Sequence, residues 1–373
     1  MRAFDIRQAV KRISSPTLFH LGVQVGRLPP RDGCVIVTFH RVIEAERIGP
    51  LDRTIWSGSP DAFERTLRGL QAHFTLISFD ELLASLSGAG RLPPRAMLVT
   101  FDDGYRDVFL NAFPRLQRAG CPAAIFVTTD LIDQHDELLW TDALSYAFCT
   151  TRQDAMELPG RNALHLNGEA SRRAACVATV GWLKLVPNDA RRRLVDQLLR
   201  SLKVTLPRGI ASGLYLSSEE LLTMSRHGMT IGSHSCSHPI LSRLDEAACR
   251  RELAESKCRL EAILGTPVRY FAYPNGLPED YSDRTVGLLR EVGFQLAVTT
   301  TPGTNRLNGR CDPFRLRRCH GGRNWFDVQD ALGRACFQPS SSWLAHRTSR
   351  SRAEAARFAL LPDPMPEASG EGG

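Results

Sequence analysis

Lysine is nearly absent from this chain. Only Lys11, Lys184, Lys203 and Lys257 stand among its 47 basic residues, so arginine carries the positive charge. The net charge is +7 and the isoelectric point about 9.0. Such a balance favours anionic partners such as lipid headgroups or nucleic acid. Here the excess is spread along the chain without a basic tract, which argues against a nucleic-acid partner. No apolar run approaches the roughly 20 residues needed to cross a bilayer. The N-terminus, Met1-Arg2-Ala3-Phe4-Asp5-Ile6-Arg7-Gln8, lacks the apolar core of a signal peptide. The ten cysteines include no C-x-x-C pair, and Cys34, Cys176, Cys249 and Cys258 lie inside apolar or helical runs. They are expected to be reduced thiols in a reducing compartment, not a disulfide framework or a zinc finger. These absences place the expected location in the cytoplasm, or at the inner membrane face. An amphipathic pattern over residues 5–25 fits a surface contact there, or a packed terminal helix.

What is present is an ordinary globular composition, 43% hydrophobic and 23% charged over 373 residues. That length can bury one large core or two smaller ones. Short apolar runs at 34–39, 75–79, 96–101 and 123–129 alternate with helical patterns at 60–73, 80–86 and 107–119. The order strand, helix, strand predicts a parallel sheet or barrel. Asp80 is read as the cap of the second helix, and Pro114 should kink the third. The rhythm breaks over 131–215, read as an inserted, mostly helical subdomain. It resumes with a Ser217/Glu220 capping box, strands at 230–234, 269–274, 295–300 and 314–319, and helices at 245–264, 282–292 and 326–337. The expected organisation is an N-terminal helical segment (1–30), a barrel (31–130 with 216–338), the insertion and a disordered tail (339–373).

Two stretches carry the chemistry. Thr100-Phe101-Asp102-Asp103-Gly104 ends a buried strand with adjacent carboxylates. Neighbouring strand residues point to opposite faces, so a turn at Gly104 is needed to bring both acids to one site. Paired acids resist joint ionisation unless a cation is near. His234-Ser235-Cys236-Ser237-His238 supplies the other ligands, its spacing read as one side of a helical turn. Asp103, His234 and His238 are therefore the candidate metal ligands, a set that suits Zn²⁺, with Co²⁺ or Ni²⁺ as substitutes. Asp102 is left free as a general base.

These motifs resemble the first two of the polysaccharide deacetylase family (the NodB-homology domain, carbohydrate esterase family 4), across about residues 34–130 and 215–335. The resemblance implies a distorted (β/α)₇ barrel and metal-dependent removal of acetyl groups from an acetylated polysaccharide, oligosaccharide or lipid-linked intermediate. It also implies Asp102 as base and Asp103, His234 and His238 as ligands. The third family motif looks like Phe271-Ala272-Tyr273-Pro274-Asn275-Gly276, with Ala272 where many members carry the arginine that tethers the base. Arg318 is a candidate substitute, read otherwise as a surface arginine or an ion-pair partner. The backbone N–H of Asn275 matches the family's oxyanion position, and Tyr273 is a candidate wall of the sugar groove. The family's closing Leu-x-His acid is missing. Thr38-Phe39-His40-Arg41 looks like the early histidine of the biofilm-polysaccharide subgroup, so His40 is the expected general acid, with His320 the alternative. Two other readings stay open: a non-catalytic carbohydrate-binding barrel, and a metal-dependent hydrolase of small non-peptide amides.

Overall fold

A computed structural model describes residues 16–21, 23, 28, 32–157, 163–307 and 311–337. The tail 339–373 lies outside them. So does most of the 5–25 pattern, of which residues 16–21 and 23 are helical.

The β-branched run Gly33–Phe39 forms β1, and Ala96–Phe101 forms β3, paired in parallel over six residues from Cys34↔Ala96 to Phe39↔Phe101. Parallel register continues through β4 (Ala123–Val127), β7 (Thr230–Ser233), β8 (Tyr270–Ala272) and β9 (Leu296–Val298). The ring is completed irregularly. Leu316 bridges Val298 of β9, and Cys319–His320 (β11) pairs with Val37 and Thr38 of β1. Seven parallel strands among the described residues thus make the distorted barrel. Short β2 (Thr75–Leu76) flanks β3, and β10 (Asn305–Arg306) runs antiparallel beside β1. The closing strand is shorter than the 314–319 stretch read from sequence, because residues 313–318 reach back to β9 before meeting β1.

The period-2 alternation of strands sorts residues between two cores. Cys34, Ile36, Ala96, Leu98, Phe126 and Val298 fill the barrel interior. Val35, Val37, Val99, Ile125 and Ala297 face the helices. Those helices are α1 (Pro60–His73), α2 (Phe79–Leu86), α3 (Phe113–Arg118), α7 (Ser218–Arg226), α8 (Glu246–Leu264), α9 (Asp283–Val292) and α10 (Trp325–Phe337). Two local readings are corrected. The cap of α2 is Ser78, in a capping box with Glu81, while Asp80 pairs with Arg269 on the barrel side. The helix expected over 107–119 opens as a π-helical turn at Val108–Ala112 before α3, the wider turn preceding Pro114, which lacks an N–H for the ladder.

Between β4 and β7 the chain leaves the barrel. Here α4 (Trp140–Thr150), α5 (Glu169–Leu183) and α6 (Asn188–Ser201), with the β5–β6 pair at Ala155–Met156 and Leu164–His165, enclose their own core around Leu144, Phe148, Leu183 and Leu198. A buried polar tie joins this unit to the barrel. Asp142 accepts hydrogen bonds from Tyr105 Oη (2.6 Å), Tyr215 Oη (3.3 Å) and the Asp52 N–H (2.9 Å). No helix among the described residues is long and apolar enough to cross a membrane.

Candidate active site

The inner register of β1 and β3 puts Thr38, Thr100 and, one residue past β3, Asp102 on one face above Ile36 and Leu98. Asp102 stays in the ladder, its N–H donating to Phe39 O at 3.1 Å. Asp103 then turns out of the strand with φ +74, and Gly104 follows at φ +87, which is the turn the paired acids required. Both carboxylates are buried, 2% and 4% exposed.

Asp103 Oδ1 lies 3.4 Å from His234 Nε2 and 3.5 Å from His238 Nε2. The ligand atoms of the three residues fall within 4.8 Å of one another. Donor atoms around a tetrahedral Zn²⁺ at about 2.0–2.1 Å stand roughly 3.4 Å apart, so the spacing fits a shared cation. The tautomer fits too. His234 Nδ1 contacts Ala272 O at 2.7 Å, and a carbonyl only accepts, so Nδ1 carries a hydrogen and Nε2 is the nitrogen turned to Asp103. Against the burial that would lower it, Asp103 raises this imidazole above its ordinary value, so Nε2 holds a proton that a bound cation would replace. Burial pushes the His238 imidazole down to about 3, reinforced by the charge on His234 and by Lys184 and Arg191, so this ring is neutral and able to ligate.

The histidine segment is not a helical turn, contrary to the reading from its spacing. It is an irregular loop after β7, with Ser235 at φ +67 and His238 at φ +56. Left-handed backbone at non-glycine residues costs energy unless the surroundings hold it. Here Glu252 of α8 holds it: its Oε2 accepts the Cys236 N–H (2.8 Å) and the Ser237 N–H (3.0 Å), and its Oε1 the Ser237 hydroxyl (2.5 Å). The Ser235 hydroxyl also accepts the His238 N–H at 3.1 Å.

Arg318 is the residue the sequence reading undervalued. It is 1% exposed, not a surface arginine. Its Nη1 donates to Asp102 Oδ1 at 2.7 Å and its Nη2 to Asp102 Oδ2 at 2.6 Å. Nε donates to Thr299 O, and Nη1 also reaches the Thr38 and Thr100 hydroxyls. Parity could have found it: Leu316 is buried in the barrel, so Arg318 shares its face while Arg315 and Arg317 point outward. Burial alone would raise the Asp102 carboxyl. The Arg318 guanidinium, aided by His234 and His40, reverses that and holds it below the usual carboxylate range.

His40 Nε2 stands 3.9 Å from Asp102 Oδ2, and the ring stacks on His320 with centroids 6.3 Å apart. The chain after His40 is clamped by Asp107, which takes the Arg41 Nε–H and the Val42 N–H, each at 2.8 Å. Asn275 lies in the turn after β8 at φ +60, and its N–H meets no acceptor among the described residues. Tyr273 is corrected: it is 0% exposed, its hydroxyl donates to Phe314 O at 2.9 Å and its ring stacks on Tyr281. It faces the helices, opposite to Ala272, and so lines no groove. The nine described cysteines are free.

Comparison with known proteins agrees with this architecture. The polysaccharide deacetylase family model matches residues 89–158 and 181–297, half of the chain, with its gap inside the helical unit. YxkH of Bacillus subtilis (strain 168), a protein described as a polysaccharide deacetylase, is 30% identical over 89 residues, spanning 24% of this chain and 31% of that relative. Among solved structures, the Streptococcus pyogenes deacetylase PplD in complex with acetate aligns with a TM-score of 0.52 and 16% identity, over 81% of this chain and 98% of that one. A polysaccharide deacetylase from Bacillus cereus aligns with a TM-score of 0.51 and 18% identity, over 81% of this chain and 70% of that one. At such identities the structures speak for the fold, a parallel-stranded (β/α)₇ barrel, while the sequence model speaks for kinship: this chain belongs to the polysaccharide deacetylase family.

Proposed function

We propose that this chain is a metal-dependent deacetylase that removes N-acetyl groups from a polysaccharide, or from a shorter or lipid-linked oligosaccharide. The observation that carries the reading is one constellation: three ligand side chains converging on a point, with the ionised, arginine-anchored Asp102 directly beside them. A family match, half of the chain long, agrees with it.

In this reading Asp103, His234 and His238 hold a divalent cation, Zn²⁺ by the chemistry of one carboxylate and two imidazoles. When bound, it supplies Lewis acidity that polarises the acetyl carbonyl and acidifies water. Asp102 takes the proton of the attacking water. Arg318 keeps that carboxylate ionised and aimed, and so acts as a positioning residue. The Asn275 N–H donates to the oxyanion as the carbonyl carbon becomes tetrahedral. His40, partly exposed beside Asp102, protonates the departing amine as the C–N bond breaks. Acetate and a free amino sugar leave.

The non-catalytic alternative draws on two gaps, the missing arginine at Ala272 and the missing closing histidine. With Arg318 bonded to Asp102 from the segment just before β11, the first of these weakens. The test is acetate release from N-acetylated oligosaccharides with added Zn²⁺, comparing the wild type with Asp102→Asn. The variant should bind Co²⁺ as the wild type does and lose turnover by several orders of magnitude. Undiminished acetate release from the variant would remove Asp102 from the reaction.

A further inference from the structure

We propose that a cavity beside His320 is a subsite for one neutral sugar ring, adjacent to the ring that carries the acetyl group. The proposal rests on the deacetylase reading above and adds to it where the chain of the substrate runs. The cavity holds about 260 Å³ and is lined by Thr54, Trp56, His320, Arg323, Asp327 and Ala331. Ligand pockets for whole small molecules usually run from about 300 Å³ upward, so this one accommodates a single ring and not an oligomer.

Its place links it to the chemistry. The exposed His320 ring forms one wall and stacks on His40, whose Nε2 is 3.9 Å from Asp102. The His320 side chain therefore separates the cavity from the proposed acid, with the base beyond it.

Its walls are preformed. The 54–58 loop packs on the 320–323 loop so closely that a Cβ at Gly58 would stand 2.2 Å from the Arg323 carbonyl oxygen. Trp56 Nε1 donates to Ile43 O at 2.7 Å, which fixes the indole. His320 Nδ1 accepts the Gly322 N–H at 2.9 Å, and Asp327 Oδ2 accepts the Arg323 N–H at 3.2 Å. Little ordering remains for a ligand to impose.

The chemistry on offer suits hydroxyl groups. The Arg323 guanidinium lies 5.4 Å over the Trp56 ring and forms no ion pair among the described residues. Asp327 keeps Oδ1 without a partner among the described residues. The Arg334 charge is matched by Asp330. One open donor fork, one open carboxylate oxygen and an aromatic surface of opposed charges are what a polyol ring needs to give and accept hydrogen bonds. Two arginines, Arg323 and Arg334, stand against two aspartates, Asp327 and Asp330, so the lining carries no net charge to favour an anionic sugar.

Two variants test this: Ala331→Trp, which fills the cavity, and Arg323→Ala, an exposed position that removes the donor. Both are assayed with Zn²⁺ on an N-acetylated hexose oligomer and on p-nitrophenyl acetate, which is too small to reach the cavity. The expected result is a loss of kcat/KM on the oligomer of about tenfold or more, the effect of one hydrogen bond to a charged group, carried mainly by KM. Activity on the small ester should be unchanged. Oligomer kinetics equal to wild type in both variants would overturn the subsite while leaving the deacetylase reading standing, as would an equal fall on both substrates. A wild type that releases acetate from neither substrate would overturn that reading and the subsite with it.

Discussion

Replacing Arg318 with Met isolates the interaction on which the proposed base depends. Arg318 and Asp102 are 1% and 2% exposed and share two charge-assisted hydrogen bonds, at 2.7 and 2.6 Å. Removing one member of a buried pair leaves the other charge stranded, at a cost of about 3–5 kcal/mol. That is a large share of the roughly 5–15 kcal/mol that holds a domain folded. In Arg318→Met the Thr299 carbonyl also loses its donor. Removing the second charge as well should recover much of the loss, because Asp102→Asn leaves no ion to desolvate. The double variant should therefore be more stable than the sum of the two single changes predicts, with a coupling of about 2–3 kcal/mol. Urea unfolding of the four proteins, followed by tryptophan fluorescence, measures that coupling. Arg318→Lys should rescue only partially, since an ammonium cannot supply the two parallel donors. Additivity within about 0.5 kcal/mol would show that the pair does not act as a unit and would refute the argument that Arg318 organises Asp102.

Three other outcomes are expected. Glu252→Ala frees the loop whose Ser235 and His238 sit at positive φ, so Co²⁺ affinity, read from the absorbance of the metal complex, should fall about 10–100-fold; an unchanged affinity would show that the loop holds itself. His40→Ala should lower kcat by about 10²–10⁴ while His320→Ala leaves kcat near wild type on small acetyl esters; the reverse pattern would exchange their roles. Burial holds the Asp142 carboxyl up at about 6 against an ordinary 3.8, even with Tyr105, Tyr215, the Asp52 N–H and Arg41 around it. The folded state then keeps a proton that the unfolded chain has lost, so this group's contribution to stability is present below 3.8 and lost as pH rises through about 6. The whole window corresponds to roughly 3 kcal/mol; Asp142→Asn should remove that fall in urea unfolding between those pH values, and an unaltered pH profile would exclude an ionising Asp142.

The local parts of this molecule were legible in the chain. Apolar runs marked β1, β3 and β4, and the Ser217/Glu220 box marked the helix start now seen in α7. These signals lie within a few residues of what they determine. The motifs Thr100–Gly104 and His234–His238 identified the elements from which the site is built, since strand ends in a barrel gather their side chains at one rim. Long-range facts were less accessible. The loop at 235–238 reads as a helical turn by its spacing alone. Only Glu252, from another element, supplies the acceptors that let it take left-handed backbone instead. Tyr273 looked like a groove residue until its strand's register turned it toward Tyr281 and the helices.

Arg318 shows where the division falls. The chain alone determined that a strand would carry Leu316 and Arg318 on a common face. Whether that face turned inward, and against which carboxylate, depended on how the barrel closed. Leu316 meets β9 and Cys319 meets β1, so the guanidinium between them reaches an acid 216 positions away. A buried charge is tolerated only where its counter-charge is fixed, and that place exists only once the ring of strands is complete.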